Sequence, residues 1–255
     1  MILAIDIGNT HTEVGIFREE TLLQSWRIGT GMHRTEDELI VFITQFLGQK
    51  QLALKDIHGL AIASVVPNMT QIFLKMSQKY FSIEPLLVDD TIDLGIKINY
   101  EPPSNVGADR LCNAVGAFTK YGGSVLVVDF GTATTLDVVD KGGAYIGGAI
   151  TQGLESAALS LYEKTSKLPK IPLKFPEHVI GNRTDLSMQA GIMYGSVKMI
   201  DGLIELFKKE LMDEPNVIAT GGLASVISKK SQYIQYLEPD LVLQGLKIIY
   251  DRNKK

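Results

Sequence analysis

Two short turns in this 255-residue sequence join a carboxylate, a glycine and hydroxyl or amide side chains directly after an apolar run. The first reads Asp6-Ile7-Gly8-Asn9-Thr10 and the second Asp129-Phe130-Gly131-Thr132-Ala133-Thr134-Thr135. Glycine lets a backbone come close to a ligand, and short donors are what phosphate oxygens need. A carboxylate repels phosphate, so the natural role of Asp6 and Asp129 is to hold a cation, or its water shell, that bridges phosphates. Taken alone, one such turn reads equally well as a plain hairpin turn in which Asp, Gly and Asn serve only backbone geometry. A second copy 123 positions further on (129 minus 6) favours two turns that face each other across a cleft and hold one polyphosphate from both sides. A third segment, Tyr100 to Arg110, ends in Gly107-Ala108-Asp109-Arg110, just inside a helix predicted from Val106. The helix dipole alone accounts for an acid in the first turn, but it gives Arg110 nothing. The functional reading makes Asp109 a general base for a substrate hydroxyl and Arg110 a two-point fork for a substrate carboxylate.

The elements that must position these residues are α/β throughout. Ile2 to Ile7 reads as a buried strand, and Thr12 to Phe17 with Leu22 to Ile28 as a hairpin turning at Glu19-Glu20. The same grammar returns at Val125 to Asp129 and Thr135 to Val139, so the chain is expected to hold two related halves, 1–120 and 121–255. Thr35-Glu36-Asp37-Glu38 forms a capping box ahead of a helix to about Leu47. Leu60 to Val66 is a strand stopped by Pro67, Asn68 to Tyr80 a helix, and Pro85 to Val88 a strand. The second half adds a helix from Val106 to Tyr121, a strand from Tyr145 to Ile150 and a helix from Leu154 to Lys164. A Pro- and Lys-containing surface loop follows at Leu168 to Pro176, then a long helix from Thr184 to Leu211, a strand at Asn216 to Thr220, and a last helix from Leu241 to Tyr250. The long helix contains Gly191, Gly195 and Gly202, each costing roughly 1 kcal/mol against alanine. Glycines at that spacing point to close approach of another backbone, a subunit interface being one candidate.

Composition narrows the function. With 45% hydrophobic and 21% charged residues the chain is an ordinary globular protein. A net charge of −4 supplies no basic field for sequence-independent nucleic-acid binding. The one cysteine, Cys112, suits a reducing cytoplasm, and no apolar run approaches the ~20 residues of a membrane helix. His11, His33, His58 and His178 show no metal-ligand spacing, no serine stands in a GxSxG elbow, and Lys167, Lys170 and Lys174 read as a solvated loop. Neither GxxxxGK[ST] nor GxGxxG occurs, so a phosphate grip here relies on the paired Asp turns.

Those paired turns resemble the phosphate loops of the acetate and sugar kinase, heat-shock chaperone and actin superfamily. The resemblance implies two similar ribonuclease-H-like, actin-like domains with mixed sheets flanked by helices, and places adenosine-contacting glycines at Gly221-Gly222. The set Asp6-x-Gly8-Asn9-Thr10, Gly107-Ala108-Asp109-Arg110, Asp129-x-Gly131-Thr132-Ala133-Thr134 and Thr220-Gly221-Gly222 is similar to that of type III pantothenate kinases over essentially the whole chain. That family transfers the γ-phosphoryl group of ATP to the primary hydroxyl of pantothenate, the first step toward coenzyme A. The resemblance implies Asp109 as proton acceptor, and a pantothenate site of Tyr100, Gly107, Ala108, Asp109, Arg110 and Thr184, the last in its own or a partner subunit's site. It further implies ATP contacts from Asp6, Ile7, Gly8, Asn9, Thr10, His11, Thr12, Glu13 and Thr132. Asp129 would bind a monovalent cation, potassium or ammonium, alongside magnesium. A cytoplasmic homodimer is expected. Two other readings stand beside it: an ATP-binding accessory protein of the same fold, and a kinase for another small hydroxylated acid.

Overall fold

A computed structural model describes residues 1–31 and 33–254. Against expected halves of 1–120 and 121–255, the chain forms two compact units, one of Met1–Thr119 with Asp240–Lys255 and the other of Lys120–Pro239.

The first unit opens with β1 (Ile2–Ile7), β2 (His11–Arg18) and β3 (Thr21–Gly29), continues through α1 (Glu36–Gln49), β4 (Gly59–Ser64), α2 (Pro67–Phe81), β5 (Leu86–Leu87) and the two-residue β6 (Lys97–Ile98), and reaches α3 (Ala108–Tyr121). Its five-stranded sheet runs β3-β2-β1-β4-β5. The hairpin pairs are antiparallel, whereas β4 lies parallel to β1 and β5 parallel to β4. Leu3, Ile5 and Ile7 of β1 pack with Leu60 and Ile62 of β4, Leu39, Ile43 and Leu47 of α1, and Met69, Phe73 and Met76 of α2. The helix spacing of these residues is the i, i+3/i+4, i+7 stripe that a sheet-covering helix requires. Residues β-branched or aliphatic at nearly every position make β1 and β4 central strands. Pro67, expected only to stop β4, is the first residue of α2, where its missing N–H costs nothing.

The second unit contains β7 (Val125–Phe130), β8 (Ala133–Val139), β9 (Ala144–Gln152), α4 (Leu154–Glu163), α5 (Thr184–Leu211), β10 (Asn216–Thr220), the single-turn α6 (Ala224–Ile227) and β11 (Tyr236–Leu237). Its sheet carries these strands in the order β9-β8-β7-β10-β11, with antiparallel β7–β8 and β8–β9 and parallel β7–β10 and β10–β11. The order and directions of these five strands repeat those of the first sheet. Leu126, Val128 and Phe130 meet Ile192, Met193, Val197, Ile200 and Ile204 of α5 in a separate core.

The sequence closes with α7 (Leu241–Asn253), which packs on β1, β2 and β4 of the first unit and fully buries Leu243, Leu246 and Ile249. Among the described residues no helix is long and apolar enough to cross a membrane.

Candidate active site

In a parallel βαβ arrangement ligand groups gather beyond the carboxyl ends of the strands, and that is where both Asp turns lie. Asp6 is the penultimate residue of β1, opposite Glu13 on β2 and Ala63 on β4. Asp129 holds the same place in β7, opposite Thr135 on β8 and Thr220 on β10. Each following turn is closed by a glycine amide: Gly8 N donates to His11 O at 3.0 Å, and Gly131 N to Ala133 O at 3.1 Å. Asn9, Thr10 and His11 are exposed, as are Gly131 and Thr132.

The first turn is braced from β3 and the residue after it. Thr30 Oγ1 donates to Gly8 O at 2.8 Å and lies 2.8 Å from Thr12 Oγ1, while Thr30 N donates to Thr10 O at 2.9 Å. Thr12 is thus a buried strut of the turn, 1% exposed. Sequence reasoning missed Thr30, whose only signal is its place at the far end of the hairpin. Burial raises the Glu13 carboxyl above its usual range, partly offset by Arg27 and reinforced by the charge of Asp240.

The helix α3 delivers its N-terminus to the same place. Val65, the residue after β4, donates its amide to Ile7 O at 3.1 Å, and its Cγ1 would stand 3.3 Å from a Cβ built on Gly107. That Cβ would also come within 2.5 Å of Asp109 Oδ1, so only glycine at 107 leaves the carboxylate in its position. Asp109 Oδ1 accepts the Arg110 amide at 2.8 Å. Arg110 is 8% exposed, an unusual setting for a guanidinium unless a partner meets it. Behind them Cys112 is fully enclosed, and its thiol is pushed well up by burial and then by the negative charges of Asp6 and Asp109. The two carboxylates therefore share one neighbourhood, at the end of β1 and the start of α3. Ala108 is buried and Tyr100 half-buried.

In the second unit Gly221 adopts φ +88°, and a Cβ there would stand 2.5 Å from Asp129 Oδ1 and 2.7 Å from Phe130 N. Gly221 thus lies directly on the Asp129 turn, with the exposed Gly222 beside it. Gly153, ahead of α4, packs against the carbonyls of Gly131 and Thr132, and Ser156 Oγ donates to Thr132 O at 3.0 Å. Behind Asp129, Thr135 Oγ1 donates to the buried Asp137 at 2.9 Å and Tyr145 OH to the same carboxylate at 2.7 Å. A carboxylate, carbonyls and hydroxyls form an all-oxygen donor set, which fits a hard cation such as magnesium or potassium. Among the described residues no three His, Cys, Asp or Glu side chains gather as a metal cluster. A cavity of about 360 Å³ opens beside Leu223, lined by Glu155, Ala158, Leu159, Tyr162, Lys170 and Leu173. Lys170 Nζ sits 4.9 Å from the centre of the Tyr162 ring, so this loop lysine has a definite contact as well as solvent. Thr184 is exposed at the first position of α5, between Arg183 and Asp185, whose side chains pair at 3.0 and 2.5 Å.

Duplicated sheets with carboxylate-glycine turns at the ends of their first strands define an actin-like phosphotransferase fold. Its solved relatives agree on that fold. A Campylobacter jejuni protein whose name places it in the Baf family of transcriptional activators superposes with TM-score 0.59 at 19% identity, covering 98% of both chains. A Sinorhizobium meliloti protein described as a 2-dehydro-3-deoxygalactonokinase gives 0.56 at 13% identity, covering 98% of this chain and 95% of its own. The model of the type III pantothenate kinase family matches residues 2–206. A type III pantothenate kinase of Bacillus cytotoxicus is 44% identical over 253 residues, covering 99% of this chain and 97% of its own. The chain belongs to the type III pantothenate kinase family, enzymes that phosphorylate pantothenate on the way to coenzyme A.

Proposed function

We propose that Asp109 is the general base of this pantothenate kinase and Arg110 the residue that fixes pantothenate by its carboxylate. The observation that carries this reading is the seat of Gly107–Arg110 against Val65 and the Asp6 turn. In this reading a base and a cationic fork stand beside a turn suited to phosphate. Asp109 accepts the proton of the primary hydroxyl as its oxygen bonds to the γ-phosphorus of ATP, and the bond to the β,γ-bridging oxygen breaks to release ADP. Arg110 offers a planar fork that holds a carboxylate at two points, and Tyr100, Gly107 and Ala108 line the same substrate.

In the first unit the exposed Asn9, Thr10 and His11 offer donors to the phosphates of ATP, with Asp6, Gly8, Thr12 and Glu13 shaping that turn; in the second unit Thr132 is the proposed ATP contact. The nucleoside enters the cavity lined by Leu223, the residue that follows Gly221-Gly222 in sequence, where the Tyr162 ring offers a stacking face and Glu155 an acceptor for an exocyclic amine. Asp129 would hold a monovalent cation, potassium or ammonium, and magnesium would supply charge neutralisation at the phosphates. Positioning and charge neutralisation are the main demands of phosphoryl transfer, so this set suffices.

The protein acts as a cytoplasmic homodimer joined along α5. On that helix Gly191 and Gly195 are exposed with Met199 and Leu206, and among the described residues nothing outside the adjoining residues and backbone of α5 itself lies within 4 Å of a Cβ built at 191, 195 or 202. Thr184, at the start of the same helix, then reaches pantothenate from one subunit or the other.

The test is ADP release coupled to pantothenate. Wild-type protein should turn over only with both substrates and a monovalent cation, and Asp109→Asn should lose at least 10²-fold in kcat with its far-UV circular dichroism unchanged. An Asp109→Asn variant that keeps most of its turnover removes Asp109 from the base role.

A further inference from the structure

The helix that presents Asp109 and Arg110 rests on α7 through a contact between backbones. A Cβ at Gly245 would overlap the Cys112 carbonyl group and stand 3.1 Å from Cys112 Cα. The contact is reciprocal: a Cβ at Gly116 would lie 3.0 Å from Leu241 O and 3.2 Å from Gly245 N. Helices kept apart by ordinary side chains pack with axes 8–10 Å apart, and glycine facing backbone is what permits a closer approach. Cys112 is three residues from Asp109, within one helical turn, so the height of α3 on α7 sets the height of the carboxylate and guanidinium.

The same helix also reaches the nucleotide hairpin. Asp240, the residue ahead of α7, accepts a 2.7 Å hydrogen bond from Ser25 Oγ on β3, and its charge acts on Glu13. Three residues into the helix, Leu243 Cδ1 lies where it would be 2.9 Å from a Cβ on Gly15 of β2. Neither Gly245 nor Asp240 belongs to the residues assigned to substrate, ATP or cation.

We infer that α7 is a positioning element for both substrates, seating the pantothenate end of α3 through Gly116 and Gly245 and the nucleotide hairpin through Asp240 and Ser25. Gly245 and Asp240 act through the elements they touch. The inference rests on the assignment of Asp109 and Arg110 to pantothenate and of the Gly8–Thr12 turn to ATP.

Steady-state kinetics of full-length Gly116→Ala, Gly245→Ala, Ser25→Ala and Asp109→Asn, each with a thermal melt, test it. Gly116→Ala asks for a displacement of a few tenths of an ångström and should raise KM for pantothenate a few-fold. Gly245→Ala asks for more and should lower kcat/KM for pantothenate by about 10²-fold, the cost of roughly an ångström of misplacement. Both should leave KM for ATP within twofold. Ser25→Ala should do the reverse, raising KM for ATP several-fold with KM for pantothenate unchanged. A purely structural helix would lower Tm while the two KM values move together or stay put, and either pattern overturns the inference. If Gly245→Ala does not fold, the split between Gly116→Ala and Ser25→Ala decides. Retained turnover in Asp109→Asn would instead sink the site assignment, which the other variants do not probe.

Discussion

At the scale of single residues, several positions are fixed by what stands beside them. Gly221 combines φ +88° with a position against Asp129. A non-glycine residue there meets both a disfavoured backbone region, at about 1–3 kcal/mol, and the carboxylate itself. Gly221→Ala should therefore lose at least tenfold in activity and about 2 kcal/mol in urea-induced unfolding. Arg110→Lys keeps the charge but replaces a planar fork by a point donor, so KM for pantothenate should rise tenfold or more with KM for ATP unchanged. Glu13 gives a pH signature. Burial, first, and Asp240 raise its carboxyl above 4.5 despite Arg27, so the folded protein holds this proton more tightly than the unfolded chain. Its contribution favours the fold below pH 4.5 and is lost as pH rises through the raised value. Glu13→Gln should accordingly melt higher than wild type at pH 8 and no higher at pH 4.

At the scale of elements, the clearest sequence signals were local ones. The capping box read from Thr35 and Glu38 is present in full: Glu38 N donates to Thr35 Oγ1 at 3.2 Å and Thr35 N to Glu38 Oε2 at 2.7 Å. Thr35→Ala should cost about 1 kcal/mol by chemical denaturation. α5 and β10 begin and end where the apolar pattern places them, whereas α6 and β11 had no such signal, four and two residues being too short to show a period. The last helix holds a less visible feature, the buried Lys247, which pairs with Asp251 one turn later and with Glu20 at 3.4 Å. Desolvation pushes the Asp251 carboxyl up, but hydrogen bonds from Lys247 and Lys254 bring it below 3.8 overall. Stability from this pair is present above that pH and is lost as pH falls through the lower folded value. Asp251→Asn leaves the buried ammonium to the more distant, exposed Glu20 and should cost about 2 kcal/mol at pH 7.

At the scale of the whole molecule, the repeated strand orders β3-β2-β1-β4-β5 and β9-β8-β7-β10-β11 explain why one motif occurs twice. A chain that places a carboxylate at the end of the first strand of each sheet makes two equivalent turns. The exposed glycine face of α5 belongs to this scale too, since no neighbouring element among the described residues comes within 4 Å of a Cβ built there. If the proposed homodimer is joined along α5, Gly195→Arg should convert it to a monomer in sedimentation velocity, and an unchanged sedimentation coefficient would remove α5 as the proposed interface.

The sequence by itself determined the hairpin-first grammar of both sheets, the Asp-x-Gly turns, the glycine-alanine-aspartate-arginine start of α3, and the boundaries of the capped or strongly periodic helices. Each of these depends on neighbours within a few residues, where capping, periodicity and glycine geometry act directly. Only the tertiary structure decided that β4 lies parallel to β1, that Val65 therefore seats Gly107 beside the Asp6 turn, and that Gly221 rests on Asp129. It also decided that the C-terminal helix returns to β1, β2 and β4 and locks onto α3 at Gly245. Such contacts join segments some 40 to 240 residues apart, and they are chosen by which buried faces fit together, a property of pairs of surfaces that no single stretch of sequence carries.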